Sequence, residues 1–96
     1  RITIAEASRH AGETVRIPGW LYNLRRSGKI VFPLLRDGTG VMQCVGVKAN
    51  LPEDTFEALK NLTQESSLIL TGKIREEGRA PGGFEMDIEA VEVVQR

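Results

Sequence analysis

The sequence predicts an all-β domain: a closed barrel of five strands in Greek-key order, with a short N-terminal helix and a second helix between strands 3 and 4. Five segments with the alternation or the apolar character of strands are separated by turn signals. The first segment contains Pro18-Gly19, which marks a bend, and a long bent first strand can serve two sheets, as small barrels require. Residues 1–96 are expected to form a single domain with one core.

The N-terminal part of the chain predicts a helix followed by the first strand. Thr3-Ile4-Ala5-Glu6 has the pattern of a capping box, and the helix is expected over residues 4–11. His10 lies in its last turn without a nucleophile or metal-ligand partner, so we interpret it as structural. Residues 14–24 alternate as strand 1. Trp20, beside the bend, is expected to close one end of the barrel rather than to stack a base.

A hairpin is predicted next, because Asp37-Gly38 lies between two apolar runs. Its strands 2 and 3 are expected over residues 29–36 and 41–47. Phe32 is on the face of strand 2 opposite to Val31, but both faces are apolar, so alternation leaves open which face is inside. On strand 3, Gln43 is expected on the solvated face, since a buried amide needs several hydrogen-bond partners.

The second half of the chain predicts a helix and two further strands. The helix starts near Pro52 and has three apolar residues on one face: Phe56, Leu59 and Leu62. Strand 4 is expected over residues 67–75, a loop rich in Gly and Pro over residues 76–83, and strand 5 over residues 84–94. In strand 5 the inner face is expected to carry Phe84, Met86, Ile88 and Ala90.

This order of elements describes the oligonucleotide-binding fold, or OB-fold, which binds its ligand across strands 2 and 3. That region of the sequence carries the cations Arg25, Arg26 and Lys29, the aromatic Phe32 and the amide of Gln43. These groups suit a splayed nucleic-acid base: the ring can stack the base, the amide can hydrogen-bond its edge, and the cations can hold phosphate. The fold by itself does not establish this function.

The net charge of zero conceals a split between the two halves of the chain. Residues 1–48 hold eight basic and three acidic side chains, whereas residues 49–96 hold five basic and ten acidic ones. Either the folded surface is bipolar with one basic face, which suits a polyanion, or the strands interleave and the charges mix. The order of the strands decides between these two alternatives.

Composition excludes several other classes of protein. Cys44 is the only cysteine and is expected to be a buried apolar residue in a reducing compartment. No cluster of metal ligands is visible, and no segment has the length and hydropathy of a membrane span or the pattern of a signal peptide. We therefore expect a cytoplasmic location without a membrane partner.

An ordered set of motifs gives a more specific indication. Its members are Gly19-Trp20, Arg25-Arg26-Ser27-Gly28-Lys29, Phe32, Leu35-Arg36-Asp37-Gly38-Thr39-Gly40 and Gln43. Together they resemble the N-terminal anticodon-binding domain of class IIb aminoacyl-tRNA synthetases, which charge tRNA with aspartate, asparagine or lysine. Gln64-Glu65-Ser66-Ser67 and Ala80-Pro81-Gly82-Gly83-Phe84-Glu85 are most similar to the asparagine-specific members.

This resemblance implies a partner, the anticodon stem-loop of a tRNA with the anticodon GUU. It implies that the middle uridine stacks on Phe32, which then points outward, and that Gln43 hydrogen-bonds this base. Arg25 matches the family's arginine ahead of strand 2. Arg26 and Lys29 are expected near phosphate, and the flanking bases are expected near Arg75, Glu77 and Glu85.

The resemblance also implies that the parent enzyme is an ATP-dependent asparagine–tRNA ligase. Its ATP and magnesium would bind in a separate C-terminal catalytic domain, which would also carry most of a homodimer interface. Neither a catalytic residue nor a cofactor is expected within these 96 residues, and the acidic pairs Glu76-Glu77 and Glu85/Asp87 are expected to be solvated. The alternatives are the same module from an aspartyl- or lysyl-tRNA synthetase, a sequence-tolerant single-strand binder, and a protein-interaction barrel.

Overall fold

Residues 1–95 fold as five β-strands and one α-helix, joined in part by short 3₁₀ helices. In the computed structural model, which describes residues 1–95, a 3₁₀ helix (Ile4–Arg9) precedes β1 (Thr14–Ser27), β2 (Ile30–Asp37) and β3 (Gly40–Val47). A 3₁₀ turn at Lys48–Asn50 leads to α1 (Glu53–Lys60). Then follow β4 (Ser67–Glu76), a 3₁₀ turn at Pro81–Gly83 and β5 (Phe84–Gln95). No helix in this part of the chain is long and apolar enough to cross a membrane.

The strands close into a barrel in the order β1-β2-β3-β5-β4. Neighbouring strands are antiparallel except for β3 and β5, which run parallel. β1 pairs with β4 through residues 14–20 and with β2 through residues 20–27, so that one strand serves both sides of the barrel. The predicted five-stranded Greek-key barrel with its bent first strand is therefore confirmed.

The bend in β1 depends on the absence of a side chain at Gly19. A Cβ atom added there would collide with the carbonyl oxygen of Arg36 and lie 3.2 Å from Cδ1 of Leu35. The backbones of β1 and β2 thus approach each other more closely than any other residue type allows.

Aliphatic side chains from all five strands fill the interior, and α1 adds the predicted stripe of Phe56 and Leu59, with Leu62 just beyond its end. Cys44 is fully buried among them, as expected, and this burial raises the pKa of its thiol. The thiol is therefore a packing group rather than a reactive one.

The first helix differs from its prediction in length. It ends at Arg9 rather than at residue 11, and it is a 3₁₀ helix, a type that the prediction did not specify. Its first N–H groups donate to the β2–β3 turn, from Ile4 to Asp37 Oδ2 at 2.8 Å and from Ala5 to Thr39 Oγ1 at 3.0 Å. After the helix, Gly12 adopts φ +85° and its N–H donates to the carbonyl of Ile74. The chain therefore turns toward β4 instead of continuing as a helix.

The predicted inner face of strand 5 is wrong at one position. Phe84, Met86 and Ile88 face inward, but Ala90 is exposed. The register between β4 and β5 shifts between Thr71 and Gly72, which inserts a bulge and reverses the alternation. After the bulge, Val91 and Val93 are the residues that pack against the core.

Candidate nucleic-acid interface

Phe32 lies on the outer face of the barrel. Along β2, Val31, Pro33 and Leu35 are buried, whereas Ile30, Phe32 and Leu34 are half-buried on the opposite face. The structure therefore selects one of the two orientations that alternation left open. Pro33 fits this arrangement, since its side chain is directed into the core.

Arg25 covers the ring of Phe32. The two residues are direct partners in the antiparallel β1–β2 pair, and the guanidinium carbon lies 4.1 Å from the ring centroid. This is a cation–π contact at an exposed position, because the Arg25 side chain is exposed. In the free chain the guanidinium of Arg25 therefore covers the Phe32 ring, and breaking this exposed contact costs little free energy because water can solvate the guanidinium instead.

Gln43 lies on the same outer face, one strand further. It is the register partner of Leu34 on β2 and of Glu85 on β5, and it is half-buried as expected for a solvated face. None of the side-chain hydrogen bonds within residues 1–95 involves its amide, so the amide oxygen and nitrogen are both available to a ligand. The Cα partners Arg25–Phe32 and Leu34–Gln43 therefore place a cation, a ring and an amide next to one another.

Arg75, Glu77 and Glu85 form one ionic cluster with Asp87 at the β4–β5 edge. Arg75 Nη2 donates to Glu85 Oε1 at 2.6 Å and Nε donates to Asp87 Oδ2 at 2.9 Å, while Glu77 Oε2 lies 3.7 Å from Nη1. Burial alone would lower the pKa of Arg75, but the hydrogen bonds and charges of Asp87 and Glu85 raise it. One guanidinium faces three carboxylates, so the cluster keeps an excess of negative charge.

Glu85 corrects the expectation that the acidic pairs are solvated. Its side chain is only about one-tenth exposed, beneath the guanidinium of Arg75. The charge is tolerated there because it is paired and hydrogen-bonded. The sequence could not indicate this, since alternation gives the face of Glu85 but not the residue that covers it.

The basic cluster at the β1–β2 turn is exposed, but its members are held differently. Arg26 Nε donates to the carbonyl of Lys60 at the end of α1, at 2.8 Å. Lys29 follows Gly28, which adopts φ +59° in the turn, and its side chain is exposed. Among the described residues, none of the ion pairs involves Arg25, Arg26 or Lys29. All three charges are available to an anion.

Sequence reasoning missed a second aromatic group on the outer face. Trp20 does not close the barrel; it is half-buried on the outside, because Val15, Ile17 and Leu21 occupy the inner positions of β1. The guanidinium of Arg36 lies 5.8 Å from the Trp20 ring and 5.5 Å from that of Tyr22. The parity of β1, with its three buried aliphatic residues at odd positions, was the signal that could have found this group.

Residues 15–94 match the model of the family described as OB-fold nucleic acid binding domain, and the chain belongs to this family. The chain is similar to several asparagine–tRNA ligases. The chain is 60% identical over 94 residues to the asparagine–tRNA ligase of Koribacter versatilis, covering 98% of the chain and 21% of that protein. It is 51% identical over 94 residues to that of Pelotomaculum thermopropionicum, covering 98% and 22%.

A solved structure agrees with these relatives. The chain superposes on the asparaginyl-tRNA synthetase of Pyrococcus horikoshii with a TM-score of 0.91 and 41% identity, covering 99% of this chain and 22% of that one. The resemblance to the anticodon-binding domain of class IIb synthetases, and to the asparagine-specific members among them, is thereby confirmed. The chain spans about a fifth of the length of the curated relatives it matches.

Proposed function

We propose that this chain binds the anticodon loop of a tRNA with the anticodon GUU. The observation that carries the proposal is the grouping of Arg25, Phe32 and Gln43 on one outer face, with the amide of Gln43 free of internal hydrogen bonds. In the longer protein this binding would select the tRNA for an ATP-dependent asparagine–tRNA ligase in the cytoplasm. Its ATP and magnesium sites, and the contacts of a homodimer, would lie outside these 96 residues.

The middle uridine would stack on Phe32. The ring is held on backbone that pairs with β1 at Arg25, and base–aromatic stacking contributes about 1–3 kcal/mol per base. Since Arg25 covers the ring in the free chain, the base has to enter between ring and guanidinium or displace the guanidinium. After this exchange the cation stays beside the nucleotide, where a phosphate can take it up.

Gln43 would recognise the Watson–Crick edge of the same base. Uridine presents an acceptor, a donor and an acceptor, and an amide offers one acceptor and one donor side by side. The amide oxygen would accept from the ring N–H of uridine while the amide nitrogen donates to a carbonyl oxygen. Cytidine has no ring N–H at this position, so an amide of fixed orientation discriminates against it.

The flanking bases would meet the cluster of Arg75, Glu77 and Glu85. Its carboxylates are acceptors for amino and ring N–H groups, and guanine carries both on its Watson–Crick edge. The excess negative charge makes this edge unsuitable for phosphate. Phosphates would instead lie near Arg25, Arg26 and Lys29, whose charges have no carboxylate partner among residues 1–95.

Titration of this chain with anticodon stem-loops that differ only in the triplet tests the proposal. We expect GUU to bind more tightly than GUC or UUU, which keep the middle uridine, and more tightly than GCU, which replaces it. Gln43→Ala should cost about 1–3 kcal/mol with GUU and much less with GCU. Gln95→Ala, which removes an exposed amide at the far end of β5, is the matched control and should change neither affinity.

The results of this titration separate the alternatives. Equal losses for GUU and GCU would mean that Gln43 supports the site without reading the base. Tighter binding of GUC or UUU would assign the chain to the aspartate or lysine specificity. Equal binding of all loops would indicate a sequence-tolerant single-strand binder, and no binding to any loop would favour a protein-interaction barrel.

A further inference from the structure

Trp20, Tyr22 and Arg36 form a group on the outer face of the β1–β2 pair that the proposed anticodon site does not use. Arg36 is the direct register partner of Trp20, and its guanidinium lies over both aromatic rings, at 5.8 Å and 5.5 Å from their centroids. Tyr22 is 45% exposed, so its ring is accessible from solvent. We refer to these three residues as the aromatic platform.

The charge of the platform is uncompensated. None of the ion pairs within residues 1–95 involves Arg36. By contrast, Arg16 on the same outer face of β1 lies 3.7 Å from Glu92, and Arg75 is surrounded by three carboxylates. A cation beside two rings, with an open aromatic surface and no carboxylate partner, suits a nucleotide, whose base stacks while its phosphate meets the guanidinium.

The platform continues the proposed anticodon site along one strand. Phe32, Leu34 and Arg36 are alternate residues on the outer face of β2, so the two aromatic groups are connected by a continuous surface. Four residues of β-strand span about 13 Å, which splayed nucleotides, being spaced more widely than the roughly 3.4 Å of a stacked strand, cross in about two or three steps. A loop whose middle base is on Phe32 therefore reaches the platform with a nucleotide beyond its triplet.

We infer that Trp20, Tyr22 and Arg36 form a second stacking site, which takes a loop nucleotide outside the anticodon triplet. Its base stacks on the exposed ring of Tyr22, and a neighbouring phosphate contacts Arg36. Because every base has a π-face and Arg36 meets only phosphate, this site adds affinity without reading sequence. The inference rests on the proposed function, since it needs the loop to be held at Phe32.

Trp20 is the only tryptophan of the chain, so its fluorescence reports on the platform directly. The experiment titrates the chain with the GUU stem-loop and with versions in which each loop base outside the triplet is replaced by an abasic site. We expect the intact loop to change the Trp20 emission. One abasic position should abolish that change and weaken binding about fivefold or more, the lower end of one lost stack.

Protein variants complete the cycle. Tyr22→Leu and Arg36→Met should each weaken the intact loop about fivefold or more, and in Tyr22→Leu the critical abasic substitution should have no additional effect. Arg16→Met is the matched control: it removes a cation from the same face of β1, but a paired one, and should leave the affinity unchanged. Thermal melting of each variant monitors folding, and the abasic series on the wild-type chain still tests the second site if a variant is unstable.

The outcomes distinguish this inference from the proposed function. If Phe32→Ala weakens binding while no abasic position alters the Trp20 emission and Tyr22→Leu binds normally, the second site is refuted and the anticodon site stands. The platform would then be open to a protein partner instead. If no stem-loop binds the wild-type chain, both the proposed function and the second site are refuted.

Discussion

Phe32→Ala is the most direct test of the interface, because the structure predicts different effects on folding and on binding. Phe32 lies outside the core, and the substitution removes its cation–π contact with Arg25 from the free chain. An exposed cation–π contact contributes about 0.5–1 kcal/mol to the free energy of unfolding. In a domain of this size, about 1 kcal/mol corresponds to a fall in Tm of about 4–8 °C.

The loss of binding follows from two terms. Removing the ring removes one base–aromatic stack, which contributes about 1–3 kcal/mol to the free energy of binding. The wild-type chain, however, first gives up the Arg25–Phe32 contact when the base enters, about 0.5–1 kcal/mol, and the variant does not. The middles of these two ranges give a net loss of roughly 1.3 kcal/mol, or about eightfold in Kd. With Arg25→Met as the background, this offset disappears and Phe32→Ala should cost more than in the wild type.

Fluorescence anisotropy with a labelled GUU stem-loop measures the affinities, and thermal denaturation of the same samples measures stability. Phe32→Tyr keeps an aromatic face and should bind like the wild type. A fall in Tm far beyond about 8 °C with Phe32→Ala would show that the ring is part of the core. A normal affinity for the stem-loop would show that no base stacks there, and either result refutes the reasoning.

Two further predictions concern charge. Lys29→Ala should reduce the slope of log affinity against log salt by about 0.7, measured over a series of salt concentrations, and leave the preference among triplets unchanged; a salt-independent wild-type affinity would contradict it. For Asp37, burial would raise the pKa, but hydrogen bonds from Thr39 and from the backbone N–H groups of Ile4 and Gly40 lower it on balance. Its stabilisation is therefore present above the usual Asp pKa of about 3.9 and is lost as the pH falls below this value. Asp37→Asn should cost about 1–3 kcal/mol in thermal melts at neutral pH, and the difference from the wild type should shrink on acidification; a pH-independent difference would refute the role of the carboxylate.

The strands could be predicted because local signals and the barrel agree. Asp37-Gly38 marked the β2–β3 turn, and its carboxylate oxygen Oδ1 indeed accepts from the N–H groups of Thr39 and Gly40. Pro18-Gly19 also marked the bend of β1 correctly. The backbones of β1 and β2 approach each other most closely at Gly19, and only glycine fits there. Element ends were less predictable: β1 continues to Ser27 because β2 supplies partners up to Ile30, which is a tertiary effect.

Residue types and alternation predicted which residues form the candidate site and which face they share, but not the contacts among them. Phe32 and Gln43 could be assigned to one face, but the cover that Arg25 gives to the ring depends on the register between β1 and β2. Ala90 and Glu85 were misjudged for related reasons, a bulge in one case and a tertiary ion pair in the other. A long-range ion pair leaves no pattern in a single sequence, whereas a glycine inside a strand, such as Gly72 at the register shift, can indicate a bulge that alternation alone does not reveal.

Strand order explains how a chain of zero net charge can have one face on which the charges are polarised. β2 and β3 lie in the centre of that face, with the cations of the β1–β2 pair on one side and the carboxylates around Arg75 on the β5 side. Behind the face, where β1 is followed by β4 and β5, the charges mix, and Arg16 pairs with Glu92. Each of the two alternatives for the charge split, a bipolar surface or mixed charges, is thus found in one part of the barrel.

Because carboxylates repel phosphate and accept hydrogen bonds from base edges, a single strand gains most with its backbone over the β1–β2 pair and its bases directed toward Gln43 and Glu85. The opposite orientation would set phosphates against the carboxylates of Glu77 and Glu85. If the proposed binding is correct, the charges that attract the strand would therefore also set its direction across the sheet.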